Sequence, residues 1–163
     1  LVVHFLKRKG MENNFINKEI YGLFIGKTLG RGMSRTVYTH ALDPTLVIKI
    51  EEKAQSFQNI REWEYWNENK DFKPIAEWLA PCIAISPCGS VLIQKRVNSL
   101  DYSKYPKMIP HFLTDNKYQN YGLLNGKFVC FDYGSIPLSM GITIIKKKTK
   151  MKKVEWWGDK EID

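Results

Sequence analysis

Short apolar runs separated by turn-forming residues occupy much of the chain and predict strands. Residues 46–50 form a β-rich run, and residues 78–85 and 90–94 lie on either side of a Ser-Pro-Cys-Gly turn. Residues 55–69 differ, because they contain neither Gly nor Pro and are rich in helix-forming residues. The pattern therefore predicts several strands with one helix between them.

One face of the predicted helix combines a carboxylate with polar and aromatic side chains. Its members are spaced for a single face: Asn59, Glu62, Trp63 and Trp66. Glu62 is therefore the preferred inward carboxylate. Glu64 is the alternative, because it falls on a second possible inward stripe with Phe57 and Ile60. A third possibility is that both carboxylates face solvent.

Lys49 lies inside the β-rich run of residues 46–50. A lysine buried in a strand needs an ionic partner or solvent for its ammonium group. The simplest interpretation is therefore an edge strand on which Lys49 faces water.

A β-hairpin is predicted around Asn-Gly at residues 125–126. This dipeptide is the strongest short-range signal for a two-residue hairpin turn, and here it separates the apolar runs 121–124 and 127–131. Asn120 precedes the hairpin and Asp132 follows it, so both are expected at the same end.

Asp115 lies on the loop that leads into this hairpin and can join Asn120 and Asp132. Two carboxylates and one amide suit a divalent cation with a triphosphate, since Mg²⁺ prefers oxygen ligands and takes few of them from protein. The alternative is that these polar residues only cap the ends of the hairpin.

Composition narrows the class of protein. The chain has 163 residues, of which 44% are apolar and 13% aromatic, as in a globular domain. No apolar run reaches the roughly 20 residues that a membrane span requires. Cys82, Cys88 and Cys130 form no CxxC motif and have no nearby histidine, so they indicate neither a disulfide framework nor a zinc site. A reducing cytoplasm is the expected location.

The formal charge of +8 is concentrated towards the two ends of the sequence. Residues 1–10 carry +3, residues 146–153 carry +6 and residues 154–163 carry −3, so only +2 remains for residues 11–145. Residues 1–10 are expected to be an extension outside the fold. The lysine block predicts a solvated tail, with nucleic acid or an acidic surface as an alternative partner.

The segment around Gly30 and Gly32 resembles the glycine-rich loop of the protein-kinase-like superfamily. Val37 falls on the register of its G-x-G-x-x-G-x-V pattern, while Arg35 stands where the third glycine would be and reduces backbone freedom there. Lys49, in Leu-Val-Ile-Lys, resembles the lysine of the V-A-I-K motif. The resemblance implies that this lysine contacts the α- and β-phosphates of ATP.

Later residues extend the same resemblance. Asp115 and Asn120 match the D-x-x-x-x-N catalytic loop, and Asp132 to Gly134 match the D-[FY]-G metal loop. By this resemblance, Glu62 pairs with the lysine, Asp115 accepts the proton of the attacking hydroxyl, and Asn120 and Asp132 bind Mg²⁺.

The chain departs from the family pattern in two respects. Leu113 and Thr114 stand where H-R-D has its first two residues, and His111 is expected to be a packing residue. The 29 residues after Gly134 contain no A-P-E motif. The resemblance therefore implies a strongly reduced large lobe.

The implied fold is an α+β, minimal protein-kinase-like structure. Its small lobe, over residues 11–97, is a five-stranded antiparallel sheet with one helix, and residues 98–145 form the reduced large lobe. Residues 94–98 are the expected hinge, whose backbone groups hold the adenine edge. Residues 146–163 are the basic tail, from which Trp156 and Trp157 are expected to dock on the fold.

The implied function is that of an ATP- and Mg²⁺-dependent phosphotransferase acting on a hydroxyl of an unidentified protein or small molecule. One alternative is a pseudokinase-type interaction or inhibitor protein that binds nucleotide without turnover. Another is a binder of nucleic acid or acidic surfaces through the lysine tail. No membrane partner is expected.

Overall fold

A five-stranded antiparallel sheet is the largest element of the structure, a computed structural model that describes residues 18–51, 56–138 and 149–158. The strand order is β1-β2-β3-β5-β4. The strands are β1 (Ile25–Arg31), β2 (Arg35–His40), β3 (Leu46–Glu51), β4 (Cys82–Ile85) and β5 (Val91–Lys95). The expected α+β class and five-stranded antiparallel sheet are confirmed. The kinase-like assignment of the fold stays a prediction.

The main helix, α1 (Gln58–Asn69), lies against this sheet and begins later than expected. Phe57 precedes it with a left-handed φ of 52°, so the helix does not extend back through this residue. A four-residue helix, α2 (Lys73–Ala76), follows, and residues 18–24 are also helical. The expectation of one helix is therefore corrected for the described residues.

The buried face of α1 differs in part from the predicted one. Its buried residues are spaced three or four apart: Asn59, Glu62, Tyr65 and Asn69. Trp63 and Trp66 are only partly buried against the core. The prediction is therefore confirmed for Asn59 and Glu62, but the buried aromatic residue of α1 is Tyr65.

The predicted strand over residues 78–85 is shorter in the structure. Pro81 has no backbone N–H to donate to a sheet, and β4 begins just after it at Cys82. The segment before Pro81 pairs elsewhere: the amide of Ala80 donates to the carbonyl of Cys130 at 2.8 Å, in the hairpin described next.

The predicted hairpin is present as β7 (Tyr121–Leu124) and β8 (Lys127–Cys130). Asn125 and Gly126 have φ values of 51° and 77°, as the two central residues of a type I′ turn require. The predicted position of the hairpin and of its Asn-Gly turn is therefore confirmed.

Backbone hydrogen bonds attach both strands of the hairpin to segments next to the five-stranded sheet. Cys130 bonds to the strand-like segment before Pro81, and Leu123 exchanges two 2.9 Å backbone hydrogen bonds with Asn98. Gly122 lies so close to this segment that a Cβ would be 2.3 Å from the carbonyl oxygen of Asn98. The hairpin is therefore fixed against the sheet-bearing part of the chain.

Residues 149–158 are part of the fold, which corrects the prediction of a solvated tail for this segment. β9 (Met151–Lys153) pairs antiparallel with β6 (Met108–Pro110). Trp156 packs against the rings of Tyr105, Tyr118, Tyr121 and Phe128. Its Nε1 donates to the carbonyl of Pro106 at 2.9 Å. Docking of this tryptophan is confirmed, whereas Lys146 to Lys148 lie outside the described residues.

One buried cluster contains residues from both sides of position 97. Tyr65 of α1 and Leu92 of β5 belong to it together with Tyr121 and Cys130 of the hairpin. The two predicted lobes therefore share a core. Residues 1–10, the expected extension, lie outside the described part of the chain. Among the described residues, no helix is long and apolar enough to span a bilayer.

The two tryptophans of the C-terminal segment are expected to differ in their contribution to stability. Trp156→Ala removes a ring from the aromatic cluster and should lower the free energy of unfolding by about 3 kcal/mol. Trp157 is 54% exposed, so Trp157→Ala should change it by less than about 0.5 kcal/mol. Urea denaturation followed by circular dichroism measures both values. Equal effects would contradict the assignment of Trp156 as the anchor.

Candidate functional site

Lys49 and Glu62 form a buried ion pair between β3 and α1. Nζ of Lys49 lies 2.5 Å from Oε1 of Glu62, and the two side chains are 2% and 0% exposed. Glu64, the alternative partner, is exposed. Lys49 also donates to the backbone carbonyl of Phe131, the residue before Asp132. The expected lysine–glutamate pair is present, and it contacts the end of the hairpin.

Glu62 accepts hydrogen bonds from three side chains. Its Oε1 accepts from Lys49 and also from Nε2 of Gln94 at 2.8 Å, while Oε2 accepts from Nη2 of Arg35 at 2.7 Å. A buried carboxylate is costly unless it is paired and fully hydrogen-bonded. Glu62 meets this condition only because residues from β2, β3 and β5 converge on it.

Arg35 joins Glu62 to Asp132 and is only 7% exposed. Its Nη2 lies 2.7 Å from Glu62 and 2.5 Å from Oδ1 of Asp132. Burial lowers the pKa of Arg35, but the attraction of Glu62 and Asp132 outweighs burial and raises the pKa above its usual value. The guanidinium therefore stays charged and neutralises the carboxylate of Asp132.

The glycine-rich turn lies beside the ion pair. The strand register places Gly30 opposite Val37, and Val37 opposite Lys49. A Cβ on Gly30 would meet no described atom within 4 Å, and one on Gly32 would meet only the carbonyl oxygen of Arg35, at 3.6 Å. The packing of the described residues does not require these two glycines, so they leave an open surface next to Val37.

Asn120 and Asp132 lie at the same end of the hairpin, as expected. The amide of Phe131, which precedes Asp132, donates to the carbonyl of Asn120 at 2.9 Å. Asn120 is 6% exposed, whereas the side chain of Asp132 is 45% exposed. The structure thus brings Asp132 next to the ion pair, through Phe131 and Arg35.

Asp115 is held near this end of the hairpin by its backbone. Its carbonyl accepts a 2.8 Å hydrogen bond from the hydroxyl of Tyr121, the first residue of β7. Its carboxylate accepts from the amide of Lys117 at 3.3 Å, so it caps its own turn. His111 is exposed, and its expected packing role is therefore wrong.

Two residues of the Asp-Tyr-Gly triplet are explained by packing. A Cβ on Gly134 would lie 2.8 Å from the carbonyl oxygen of Gln58, the first residue of α1. Tyr133 is 0% exposed, and its hydroxyl donates to the carbonyl of Ala80 at 2.8 Å. Of the three residues, Asp132 is the one that presents a polar group to the surface.

The expected Mg²⁺ ligands do not form a ready metal site. Mg²⁺ is held by carboxylate and other oxygens that can face the ion, but Oδ1 of Asp132 already contacts Arg35. The described residues also contain no group of three or more His, Cys, Asp or Glu that could hold a metal ion. As arranged, Asn120 and Asp132 do not fit a resident Mg²⁺, and their role as ligands stays a prediction.

The expected hinge over residues 94–98 has most of its backbone amides in use. Those of Lys95, Arg96 and Asn98 donate to neighbouring segments at 2.8–2.9 Å. From 95 to 98, only Val97 has an amide that donates no hydrogen bond within the described part of the chain. Among these four amides, that of Val97 is the one left to donate to an adenine edge, and adenine recognition at the hinge stays a prediction.

Arg35 and Gln94 also bond to Glu62, although neither was predicted to be a partner of this carboxylate. Arg35 is two residues before Val37 and Gln94 is two residues after Leu92, so strand alternation places both on the sheet face that carries Lys49. A polar residue in phase with a buried lysine is the signal that could have revealed them.

Glu62 and Glu64 provide a matched test of the ion-pair cluster. Glu62→Gln leaves buried Lys49 without a carboxylate and Arg35 with only that of Asp132, and it should lower the free energy of unfolding by about 3–5 kcal/mol. Glu64→Gln alters an exposed residue and should change it by less than about 0.5 kcal/mol. Urea unfolding followed by tryptophan fluorescence compares them. A small effect of Glu62→Gln would refute the central role of this carboxylate.

No protein-family model matches the sequence, and no curated protein matches it significantly. The functional argument therefore depends on the arrangement of the chain's own side chains.

Proposed function

We propose that the protein is an ATP-dependent phosphotransferase with a minimal kinase-like site. The observation that carries this proposal is the buried pair of Lys49 and Glu62, which adjoins both the open glycine turn and the end of the hairpin. A fully buried lysine–glutamate pair is expensive to desolvate. Its position between a candidate phosphate-covering loop and Asp132 supports a role in binding ATP.

The role proposed for each residue follows from its position in the site. Lys49 has three donors, of which Glu62 and Phe131 accept two, so a further donor remains for a phosphate oxygen. Gly30 and Gly32 let a phosphate approach the backbone of the turn. Catalysis of phosphoryl transfer consists mainly of positioning and charge stabilisation.

Asp115 is the proposed general base. Its carboxylate lies on the loop held at the hairpin end and would accept the proton of the attacking hydroxyl as the bond from that oxygen to the γ-phosphorus forms. ADP leaves with the electrons of the broken bond. The acceptor is a hydroxyl of a protein or small molecule.

A pseudokinase-type interaction protein is the second candidate. The specific observation in its favour is the contact between Arg35 and Asp132, which neutralises the expected metal ligand. Lys49 is also only 2% exposed, so a phosphate reaches it only if neighbouring side chains move. Such a protein would bind nucleotide without turnover. Nucleic-acid binding through the lysine block stays a prediction.

ATP is expected to stabilise the folded protein. A ligand that binds only the native state at about a hundred times its Kd adds roughly 2.7 kcal/mol, which a thermal melt detects. Gly30→Val should leave the unliganded melting temperature nearly unchanged, because its side chain enters open space, but it should reduce the shift caused by ATP. Leu29→Val, at an exposed residue of the same strand, is the control. The absence of any shift with millimolar ATP, with or without Mg²⁺, would refute the proposed function.

Asp115→Asn separates the enzyme from the pseudokinase. It should leave ATP binding intact and slow phosphoryl transfer by about 10² to 10⁴, the usual loss when a general base is removed. Mass spectrometry of the protein after incubation with ATP and Mg²⁺ detects phosphate or AMP on the chain, and ADP release gives the rate. Asp71→Asn, at an exposed residue, is the control. If the wild type binds ATP but shows no transfer above the rate of Asp115→Asn, the pseudokinase candidate replaces the enzyme.

A further inference from the structure

Asn59 supplies the first of three hydrogen-bond acceptors that surround the guanidinium of Arg35. Its Nδ2 donates to the carbonyls of Lys49 at 3.1 Å and Ser90 at 3.0 Å. These bonds fix the amide, so its Oδ1 must face Arg35, which donates to it through Nη1 at 3.1 Å. Asn59 is 0% exposed, so its amide is held in place by these bonds and is inaccessible to solvent.

The other two acceptors are carboxylate oxygens. Lys49 and Gln94 bond to Oε1 of Glu62, and Arg35 bonds to Oε2. Oδ1 of Asp132 is the third acceptor and lies 2.5 Å from Nη2 of Arg35. Three acceptors thus converge on one planar group, an arrangement for which a guanidinium is better suited than an ammonium.

We propose that Arg35 is a built-in cation that takes the place of a protein-bound metal ion at Asp132. The site then binds the polyphosphate of ATP with little dependence on Mg²⁺. This inference rests on the proposed function, since it concerns how the same site receives ATP.

The charges around Asp132 support this proposal. Asp132 has a 45% exposed side chain, but its negative charge is already paired with a buried guanidinium. The charges of Lys49, Arg35, Glu62 and Asp132 sum to zero. A divalent cation therefore meets no net negative charge at Asp132, and a phosphate meets no net repulsion there. Guanidinium groups bind phosphate oxygens directly. Arg35 therefore weakens metal binding and favours a metal-free anion at the same place.

A purely structural role for Arg35 makes a different prediction. An ion pair that only holds β2 to α1 and to the segment after β8 affects stability but leaves the metal dependence of ATP binding unchanged. The test must therefore measure metal dependence as well as stability.

The first arm uses the wild-type protein alone. Isothermal titration calorimetry with ATP, once in EDTA and once in excess Mg²⁺, should give Kd values within about fivefold of each other, a difference of less than one factor of ten. Electron paramagnetic resonance with Mn²⁺ alone should show no protein-bound ion. ATP binding only with Mg²⁺, or Mn²⁺ bound without nucleotide, overturns this inference and leaves the proposed function standing. ATP binding in neither buffer overturns the proposed function, and the inference with it.

The second arm uses Arg35→Gln. Loss of the cation should weaken ATP binding in EDTA by at least about tenfold, which is a loss of one buried charge contact, and Mg²⁺ should restore most of it. Mn²⁺ should now bind without nucleotide, and Asp132→Asn added to Arg35→Gln should abolish this signal. Arg61→Gln, at an exposed arginine of α1, should behave as wild type. An unchanged metal dependence in Arg35→Gln overturns the inference. If that variant does not fold, the wild-type arm still decides.

Discussion

The carboxylate of Glu62 is the group on which the rest of the structure depends. It is 0% exposed and accepts from Lys49, Arg35 and Gln94, which belong to three different strands. If this carboxylate were lost, buried Lys49 would keep only the carbonyl of Phe131 as a hydrogen-bond acceptor and would have no counter-charge. Electrostatic pairing therefore acts together with apolar contact in positioning α1 against the sheet.

The same pairing extends beyond the sheet. Lys49 donates to the carbonyl of Phe131, and Arg35 bonds to Asp132, so the hairpin end is attached to the polar cluster. Asn98 and Leu123 attach the hairpin again at its other edge. The side chains proposed to contact a phosphate thus also connect the hairpin to the sheet. If the proposed function is correct, ATP binding and stability depend on the same side chains and should change together.

The features that could be predicted from the sequence are those that depend on residues close together in the chain. The Asn125-Gly126 turn, the strand around Lys49 and the choice of Glu62 over Glu64 followed from backbone preference and helix spacing, and the structure contains all three. Arg35 could not be understood in the same way. Its partners are 24, 27 and 97 residues away in sequence. Only the folded arrangement shows that it meets Asp132, and only strand phase hinted that it faces inward.

The pairing of β6 with β9 constrains the order in which the chain can fold. Met108 pairs with Lys153, whereas the five-stranded sheet closes entirely between residues 25 and 95. Folding during synthesis can thus complete the sheet first, but the rings around Tyr105 stay uncovered until Trp156 has left the ribosome. Contacts between distant residues form slowly, and uncovered apolar surface promotes aggregation in the meantime. A chain interrupted between these two strands would carry a finished sheet and an open core, which is the form that chaperones and proteases recognise.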